Sequence, residues 1–388
     1  MTLRTLGVVG SSRKPDERRV PLHPRHLERI DADLRARMVL EQGYGERFGY
    51  ADARLADLVG AVLPRAEVLS TPDIVLLPKP QVADFAELPH GAVLWGWPHC
   101  VQDPVATQLA IDRGLTLIAF EAMNHWTHDH GFSLHVFHAN NEIAGYASVL
   151  HALATAGMTG DFGRRLTAVV IGFGATARGA VTALSAHGVR DIEVLTQRQV
   201  ASVNAPMHAA RMVHLEQEDP ATHLSTVITG DGPVALAPFL AGHDIVVNCT
   251  LQDPGAPSMF LLTEDLADFA SGSLIVDVSC DEAMGFEWAR PTSFADPEFM
   301  VGDNVRYYAV DHSPSYLWDS ASWEISGALL PFLRVVMEGG DAWDVNETIL
   351  RAIEIREGHV LNPAILAFQD RATAHPHAVQ AHPHAMPA

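Results

Sequence analysis

Residues 166–177 read LTAVVIGFGATA, and this stretch decides the fold of the chain. An apolar run ends at Gly172, and the letters that follow fit the pattern G-x-G-x-x-G/A between a strand and a helix. In that pattern Gly172 permits the tight turn, Gly174 lets backbone approach a pyrophosphate, and Ala177 lets strand and helix pack closely. The helix N-terminus then faces the phosphates. The stretch predicts a dinucleotide-binding turn whose cofactor contacts are Gly172, Gly174, Ala175, Thr176 and Ala177.

The end of the next strand decides which dinucleotide is expected. The strand IEVLT (192–196) is followed by Gln197 and Arg198, where a protein that binds NAD usually carries a carboxylate for the ribose. Glu193 lies too early in the strand to serve. An arginine offers a 2′-phosphate a planar, charge-assisted fork, so we expect NADP(H). The alternative is that Arg198 is a solvated surface residue. The predicted contacts beyond the turn are Thr196, Gln197, Arg198 and Thr250.

Composition excludes several classes of protein. The chain has 388 residues, 48% hydrophobic and 19% charged, which suits two α/β domains without global disorder. A net charge of −21 with no basic stripe argues against a nucleic-acid partner. No apolar run reaches the length of a membrane span, and the N-terminus lacks a secretory segment. Three separated cysteines fit a reducing compartment, so we expect a cytoplasmic protein.

Strand-like and helix-like stretches alternate along the chain. Apolar strands are predicted at 5–10, 37–43, 73–78, 92–97, 115–121, 166–171, 192–196, 243–250, 272–279 and 305–311. Helices are predicted around 24–36, 51–60, 102–113, 140–158, 319–338 and 343–356. Continuous apolar strands that alternate with helices favour parallel sheets covered on both faces.

The same alternation predicts the domain organisation. We expect an α/β protein with two Rossmann-like domains, in which the dinucleotide domain is inserted into a discontinuous substrate domain. The substrate domain takes residues 1–139 and 313–372, and the cofactor domain takes 140–312. Residues 373–388 are rich in Ala, His and Pro and are predicted to be a disordered tail.

Titratable residues stand where predicted strands end, the usual place for ligands in open α/β sheets. Each one could also be an ordinary surface or strand-end residue, but together they suit a 2-oxo acid. Arginine and lysine would hold carboxylate and carbonyl, and a histidine would move the proton that accompanies hydride transfer. The candidates are Arg19, Lys79, His99 and Glu121 in the first part of the chain and Asp281 in the second.

A metal site must be considered because residues 125–142 contain five histidines. Their spacing matches no recognised ligand pattern, and no cysteine accompanies them. Nicotinamide chemistry needs no metal where lysine and histidine polarise the carbonyl. We therefore expect no metal and interpret this segment as a polar loop.

The residues resemble those of the alanine dehydrogenase and transhydrogenase family over nearly the whole chain. The matching stretches are DERRVPLHP, DIVLLPKP, LWGWPH, NNEIAG, GFGATARG, LIVDVSCDEAMGFEWARPTSF and AVDHSPS. Within the family, HVFHANNEIAG, LTQR, YYAVDHSPS and WEISGALLPFL are most similar to the N5-(carboxyethyl)ornithine synthases. Those enzymes use NADPH to join pyruvate reductively to the side-chain amine of ornithine or a similar amino acid.

The resemblance implies roles for single residues. Arg19 and Lys79 match the residues that hold the oxo-acid carboxylate and carbonyl, His99 the catalytic histidine, and Asp281 the aspartate beside the reacting carbon. Alanine dehydrogenases carry asparagine where this chain has His312, which with Glu121 is expected to bind substrate. The expected reaction is NADPH-dependent condensation of a 2-oxo acid with an amino-acid amine. Alanine dehydrogenase and saccharopine-type activity stay open as alternatives, and the family implies a homo-oligomer.

Overall fold

The computed structural model describes residues 3–198, 209–217, 225–252 and 257–380. Contacts within the chain divide it into two compact units. The first unit comprises Met1–His138 and Trp318–Ala388, and the second comprises Ala139–Leu317. No helix among the described residues is long and apolar enough to cross a lipid bilayer.

Short strands and helices make up both units. The described strands are β1 (Leu6–Val8), β2 (Met38–Glu41), β3 (Ala61–Leu63), β4 (Ile74–Leu76), β5 (Val93–Gly96), β6 (Thr116–Ala119), β7 (Asn124–Trp126), β8 (Phe132–His135), β9 (Thr167–Ile171), β10 (Asp191–Thr196), β11 (Arg211–Gln217), β12 (Ser225–Thr229), β13 (Gly232–Ala235), β14 (Ile245–Asn248), β15 (Met259–Leu261), β16 (Ser273–Asp277), β17 (Gly285–Phe286), β18 (Glu298–Val301), β19 (Val305–Tyr308), β20 (Ile353–Arg356) and β21 (His359–Val360).

The α-helices of the described residues are α1 (Ala32–Arg35), α2 (Asp52–Ala56), α3 (Arg65–Ser70), α4 (Val82–Glu87), α5 (Pro104–Asp112), α6 (His138–Ala156), α7 (Ala175–Ala186), α8 (Leu236–Ala241), α9 (Trp318–Leu329), α10 (Leu333–Glu338), α11 (Gly340–Val345), α12 (Glu347–Ala352) and α13 (Pro363–Phe368). Short 3-10 helices occupy Pro24–Arg29, Glu46–Phe48, Phe120–Ala122, Thr263–Asp268, Ser313–Leu317 and Leu330–Phe332.

The first unit is built on an eight-stranded sheet in the order β21-β20-β6-β5-β4-β1-β2-β3. The six strands from β6 to β3 are parallel, and β20 and β21 extend the sheet in antiparallel fashion. Two hydrophobic clusters cover the two faces, one including Leu6, Leu76 and Trp95, the other Val75, Leu94 and Leu117. Burial on both faces explains why these strands are apolar at every position.

The second unit is built on a nine-stranded sheet in the order β13-β12-β11-β10-β9-β14-β16-β19-β18. Its six central strands, from β11 to β19, are parallel, and the edge strands β12, β13 and β18 pair in antiparallel fashion. Two clusters again cover the faces, one around Val170, Val247 and Leu274, the other around Val169 and Val246. The predicted α/β class with mostly parallel sheets is confirmed.

The two predicted helices nearest the C-terminus were wrong in detail. The segment 319–338 is interrupted by the 3-10 turn Leu330–Phe332 because Pro331 supplies no backbone donor and restricts the chain. The segment 343–356 ends as the strand β20, which pairs with β6. Ile353 and Ile355 are buried in that strand, and the alternation I-E-I-R is the signal that the sequence prediction passed over.

The tail predicted from residue 373 is ordered in its first part. The amide N–H of Ala372 donates to the carbonyl of Ala378 over 2.9 Å, and His377 is 3% exposed. The N–H of Val360 donates to His377 Nε2 at 3.0 Å, which fixes this turn against β21. The prediction of disorder was therefore wrong for residues 373–380. Residues 381–388 lie outside the described part of the chain.

Candidate active site

The candidate residues follow the carboxyl ends of parallel strands in both units. In each sheet the order reverses once, between β1 and β4 in the first unit and between β9 and β14 in the second. Ligands of open α/β sheets bind at such switch points. Lys79, His99 and Glu121 follow β4, β5 and β6, so they lie along one edge of the first sheet.

Arg19 is a buried residue that pairs with Glu17. Its Nε and Nη2 donate to the two carboxylate oxygens of Glu17 at 2.8 and 2.5 Å, and both side chains are at most 2% exposed. Burial alone would raise the pKa of Glu17, but the Arg19 charge and hydrogen bonds outweigh it, with help from Lys79, and hold that pKa at about 2. A fixed, fully charged pair results, and the alternative of a surface charge at Arg19 is wrong. Sequence reasoning missed Glu17.

Lys79 and His99 form a direct contact. Lys79 Nζ lies 2.7 Å from His99 Nε2 and 5.6 Å from the centre of the Trp97 ring. The Arg19 guanidinium lies 5.6 Å from the same ring, so two cations share one aromatic residue. His99 has a positive φ of 49°, an uncommon backbone conformation that aims its side chain from the end of β5. The structure therefore brings Arg19, Lys79 and His99 together around Trp97.

Glu121 supports His99 from the end of β6. Its Oε1 accepts the backbone N–H of His99 at 2.8 Å and lies 3.8 Å from His99 Nδ1. Burial raises the pKa of Glu121, and the nearby carboxylate of Glu354 raises it further. Glu354 lies on β20, 4% exposed, and burial raises its pKa as well. Sequence reasoning missed Glu354 because β20 was predicted as helix.

The glycine-rich turn of the second unit has the geometry that a dinucleotide requires. Gly172 has a φ of 108°, and a Cβ there would lie 2.9 Å from the carbonyl oxygen of Cys249. A Cβ on Gly174 would meet nothing within 4 Å among the described residues, so backbone is exposed to a ligand at that point. Within the part of the chain that the structure describes, no side chain caps the N-terminus of α7, which starts at Ala175, so its first N–H groups suit phosphate oxygens. Ala177 is fully buried, as the turn pattern requires.

Two further glycines make the packing behind this turn possible. A Cβ on Gly145 of α6 would lie 1.9 Å from the carbonyl oxygen of Thr176, and one on Gly179 of α7 would lie 1.8 Å from that of Glu142. Helices α6 and α7 therefore cross with their backbones in contact. Sequence reasoning did not identify this crossing, although both glycines stand in predicted helices.

The tip of β10 carries no carboxylate. Glu193 is 3% exposed within the strand, where it pairs with His243 and Arg211. Thr196 is buried and accepts the N–H of Arg198 at 3.1 Å, whereas Gln197 and Arg198 are exposed. An open depression of about 380 Å³ lies beside the tip, lined by Gln197, His214, Leu215, Glu216 and Gln217.

Asp277 organises the loops after β14 and β16. It is fully buried and accepts Asn248 Nδ2 at 3.0 Å, the Tyr307 hydroxyl at 2.6 Å and the N–H of Cys280 at 3.1 Å. Burial raises the pKa of Asp277 to about 6, although the three hydrogen bonds lower it. The bonds fix the turn that leads to Asp281, whose pKa burial also raises. Sequence reasoning missed Asp277.

Thr250 belongs to the same network. Its hydroxyl donates to Asn248 Oδ1 at 2.8 Å, and its carbonyl accepts the hydroxyl of Ser279. Because Asn248 also bonds to Asp277, the loops at the ends of β14 and β16 are joined through buried side chains. Thr250 and Asp281 therefore lie on two loops that the same hydrogen bonds hold.

His312 follows β19 and is 5% exposed. Its Nδ1 lies 2.5 Å from Asp311 Oδ1, and the Phe294 ring packs edge-on against it at 5.1 Å. Its Nε2 is buried and has no hydrogen-bond partner in the described part of the chain. A buried side-chain nitrogen without a partner is unusual in a folded protein.

The cysteines and the histidine-rich segment are not brought into a cluster. Cys100 and Cys249 are buried, and burial raises the pKa of both thiols. Within residues 3–198, 209–217, 225–252 and 257–380, no three His, Cys, Asp or Glu side chains converge in a way that would hold a metal ion. His130 instead pairs with Glu347 at 2.9 Å.

Comparisons with known proteins agree with this geometry. Residues 8–144 match the model of the alanine dehydrogenase/PNT N-terminal domain, and residues 152–363 match that of the C-terminal domain. The alanine dehydrogenase of Mycobacterium tuberculosis is 25% identical over 92% of this chain and 95% of its own. The N(5)-(carboxyethyl)ornithine synthase of Clostridium botulinum is 25% identical over 81% of this chain and 89% of its own.

A solved structure of an L-alanine dehydrogenase has the same fold. It aligns with a TM-score of 0.73 at 18% identity and covers 94% of this chain and 98% of its own. The two domain models together span most of the sequence, and the strand-end residues described above lie within them. The chain therefore belongs to the alanine dehydrogenase/PNT family and is an NAD(P)-dependent oxidoreductase that acts on CH–NH groups.

Proposed function

We propose that this protein catalyses the NADPH-dependent reductive condensation of a 2-oxo acid, with pyruvate preferred, and the amine of an amino acid such as ornithine or lysine. The product is an N-(carboxyalkyl) amino acid. The observation that carries the proposal is the 2.7 Å contact between Lys79 Nζ and His99 Nε2. It puts a cation for the carbonyl oxygen beside a group that moves protons. The name of the Clostridium botulinum relative, an N(5)-(carboxyethyl)ornithine synthase, supports the same chemistry.

Arg19 and Lys79 would hold the oxo acid. The Glu17 carboxylate fixes the Arg19 guanidinium through two hydrogen bonds, so its orientation toward a substrate carboxylate is set before binding. Lys79 would place its ammonium group on the carbonyl oxygen and draw electrons from the carbonyl carbon. The face of Trp97 favours both cations at this place.

His99 and Lys79 would carry out the proton transfer that the condensation requires. Their nitrogens lie 2.7 Å apart, within hydrogen-bond distance, and a proton held there would pass to the oxygen that leaves as water. Glu121 would orient His99 through its backbone N–H. Asp281 would stabilise the cationic iminium with its negative charge, which Asp277 positions through the Cys280 turn.

The second unit would hold NADPH, which supplies the hydride. The fit rests on the open backbone at Gly174, the uncapped N-terminus of α7 and the absence of a carboxylate among the described residues that directly end β10. Arg198 would pair with the 2′-phosphate. Thr196, Gln197 and Thr250 would contact the remainder of the cofactor.

Alanine dehydrogenase activity, with ammonia in place of an amino acid, is the second candidate. The 25% identity to the Mycobacterium tuberculosis enzyme over 92% of the chain favours it. Alanine dehydrogenases, which use ammonia, carry asparagine at the position of His312 according to the sequence resemblance. The histidine in this chain therefore favours an amino-acid amine over ammonia.

The two candidates are separated by NADPH consumption with a matrix of substrates. Pyruvate, glyoxylate and 2-oxoglutarate would each be combined with ammonia, ornithine, lysine and arginine, and the products identified by mass spectrometry. We expect fastest turnover with pyruvate and a diamino acid, and a secondary amine as product. Alanine formed from ammonia at a comparable rate would favour the second candidate, and NADPH consumption with none of the pairs would reject both.

A further inference from the structure

The C-terminal segment, residues 363–380, lies against the turn that carries His99. It consists of α13 and a turn in which the N–H of Ala372 donates to the carbonyl of Ala378. The segment begins where the matched C-terminal domain ends, at residue 363. It belongs to the first unit, as His99 does. Its contacts with the residues after His99 are therefore contacts within one unit, made by a part of the chain that follows the matched domain.

Gln369 is the residue of this segment that reaches the turn. Its Nε2 donates to the carbonyl oxygen of Cys100 at 2.6 Å, and it lies 3.2 Å from the carbonyl oxygen of Val101 and from the hydroxyl oxygen of Thr107. The Thr107 hydroxyl donates to the same Cys100 oxygen at 2.8 Å. Cys100 and Thr107 are fully buried. Two side chains, one from α5 and one from the C-terminal segment, thus hold the peptide that directly follows His99.

Arg371 fixes the orientation of the Gln369 amide. Its Nε donates to Gln369 Oε1 at 2.6 Å. Because a guanidinium can only donate, the amide oxygen faces Arg371 and the amide NH₂ faces the Cys100 carbonyl. Arg371 is 5% exposed, and its Nη1 donates to Gln108 Oε1 at 2.8 Å and to the carbonyl of His377 at 3.2 Å. The Gln369 amide is therefore held at both ends.

The backbone conformation of His99 requires such support. Its φ of 49° lies in the left-handed region, which is unfavourable for a residue other than glycine and persists where surrounding contacts fix it. On one side, the His99 N–H donates to Glu121 Oε1 at 2.8 Å. On the other side, the next carbonyl along the chain, that of Cys100, accepts from Gln369. A shift of that peptide would move the His99 ring away from Lys79, whose Nζ lies 2.7 Å from Nε2.

We propose that Gln369 is a positioning residue for the reaction: through the Cys100 carbonyl it fixes the His99 imidazole against Lys79. The inference rests on the proposed function, in which the contact between His99 and Lys79 delivers a proton to the departing oxygen. Gln369 acts through the backbone and touches neither substrate nor cofactor. Its loss should therefore slow the proton-transfer step and leave the binding of the oxo acid and of NADPH unchanged.

The test compares Gln369→Met, which keeps the length of the side chain and removes its donor, with the wild type and with Gln108→Met. The control removes a bond to Arg371 from the same segment and keeps the Cys100 contact. We expect Gln369→Met to lower kcat about tenfold, the effect of one hydrogen bond, with KM values for the oxo acid and NADPH within about twofold of the wild type. Gln108→Met should lower the midpoint of urea unfolding by a similar amount and leave kcat unchanged.

A second measurement does not depend on turnover. Lys14 and Lys79 are the two lysines of the chain, so labelling with acetic anhydride and mass spectrometry give the rate at Lys79 relative to that at Lys14. Lys79 Nζ must leave its contact with His99 before it is acylated. Labelling of Lys79 should therefore be about threefold faster or more in Gln369→Met. The same direction is expected in Thr107→Val, which removes the other side-chain donor to the Cys100 carbonyl.

Labelling of Lys79 at the wild-type rate in both Gln369→Met and Thr107→Val would overturn the inference. So would a loss of kcat in Gln108→Met as large as that in Gln369→Met, because the effect would then come from the stability of the C-terminal segment. If the wild type turns over no pair of substrates, the proposed function fails, whereas the labelling of Lys79 still decides whether Gln369 positions His99.

Discussion

The two candidate half-sites are built from different materials. In the first unit, the candidate half-site consists of charged and titratable side chains. Arg19 forms an ion pair with Glu17, Lys79 contacts His99, and Glu121 lies near Glu354. In the second unit, the candidate half-site consists of backbone. Gly172 and Gly174 form a turn, and among the described residues no side chain caps the N–H groups that begin α7. A substrate of a few atoms needs fixed charges, whereas a long dinucleotide needs room for close backbone contact. The difference predicts that charge-removing and space-filling substitutions act separately on the two halves.

The largest effect is expected at Lys79. Lys79→Ala removes the cation for the carbonyl oxygen and the partner of His99, so kcat should fall by at least about 10³-fold. NADPH affinity, measured by fluorescence titration, should not change. Lys14→Ala is the matched control, since Lys14 and Lys79 are the two lysines of the chain. If Lys79→Ala turns over within tenfold of the wild type, Lys79 does not supply the cation that binds the carbonyl oxygen.

His99→Gln should cost about 10²-fold in kcat, because proton transfer to the departing oxygen is lost while the Lys79 charge is kept. His90→Gln, at an exposed histidine, is the control. Steady-state rates with saturating NADPH would measure both. A variant that loses NADPH affinity instead of kcat would place His99 in the cofactor half.

Gly174→Val tests the main-chain half. A Cβ at this position meets no atom within 4 Å among the described residues, and Gly174 has an extended backbone that valine adopts, so we expect thermal stability to be unchanged. NADPH should bind about 10 to 100 times more weakly, since a well-packed contact that is overfilled costs about 1–3 kcal/mol. Gly327→Val, also at an open position, should leave NADPH binding intact. Unchanged binding in Gly174→Val would mean that no ligand approaches this backbone.

The variant Arg198→Ala tests the proposed preference for NADPH over NADH. Loss of a charge-assisted hydrogen bond to the 2′-phosphate should raise the KM for NADPH about tenfold and leave the KM for NADH unchanged. Arg190→Ala, at an exposed arginine of the same unit, should change neither value. If both cofactors are affected equally, Arg198 is a surface residue and the preference for NADPH has another origin.

The smallest expected effect is on the pH dependence of the free energy of unfolding. Burial raises the pKa values of Glu121 and Glu354, and the charge of Glu354 raises that of Glu121 further. A carboxyl with a raised pKa keeps a proton in the folded state that the unfolded chain has lost, so its stability contribution is full below the ordinary carboxyl pKa and is lost as pH rises through the raised value. Glu354→Gln should reduce this loss by about 1–3 kcal/mol. Urea unfolding from pH 5 to pH 9 would measure it, with Glu357→Gln as the exposed control.

Sequence patterns predicted the central strands well because strands buried on both faces are apolar throughout. Lys79, His99 and Glu121 could be found because each directly follows such a strand. Their neighbours could not be found in this way. Glu354 is 233 positions from Glu121 in the sequence and comes near it because β20 pairs with β6. Glu17 and Asp277 look like ordinary acidic residues until their burial is known. The prediction therefore located candidate site residues by strand ends and missed the buried groups that contact them.

The turn after Asp277 has a practical consequence. Two of the three cysteines, Cys100 and Cys249, are buried and their thiols are held in the unreactive protonated form. The third, Cys280, is only partly covered and has a φ of 48° directly before Asp281. A maleimide dye would therefore attach selectively at Cys280, and its fluorescence would report in real time when the neighbouring aspartate changes its surroundings.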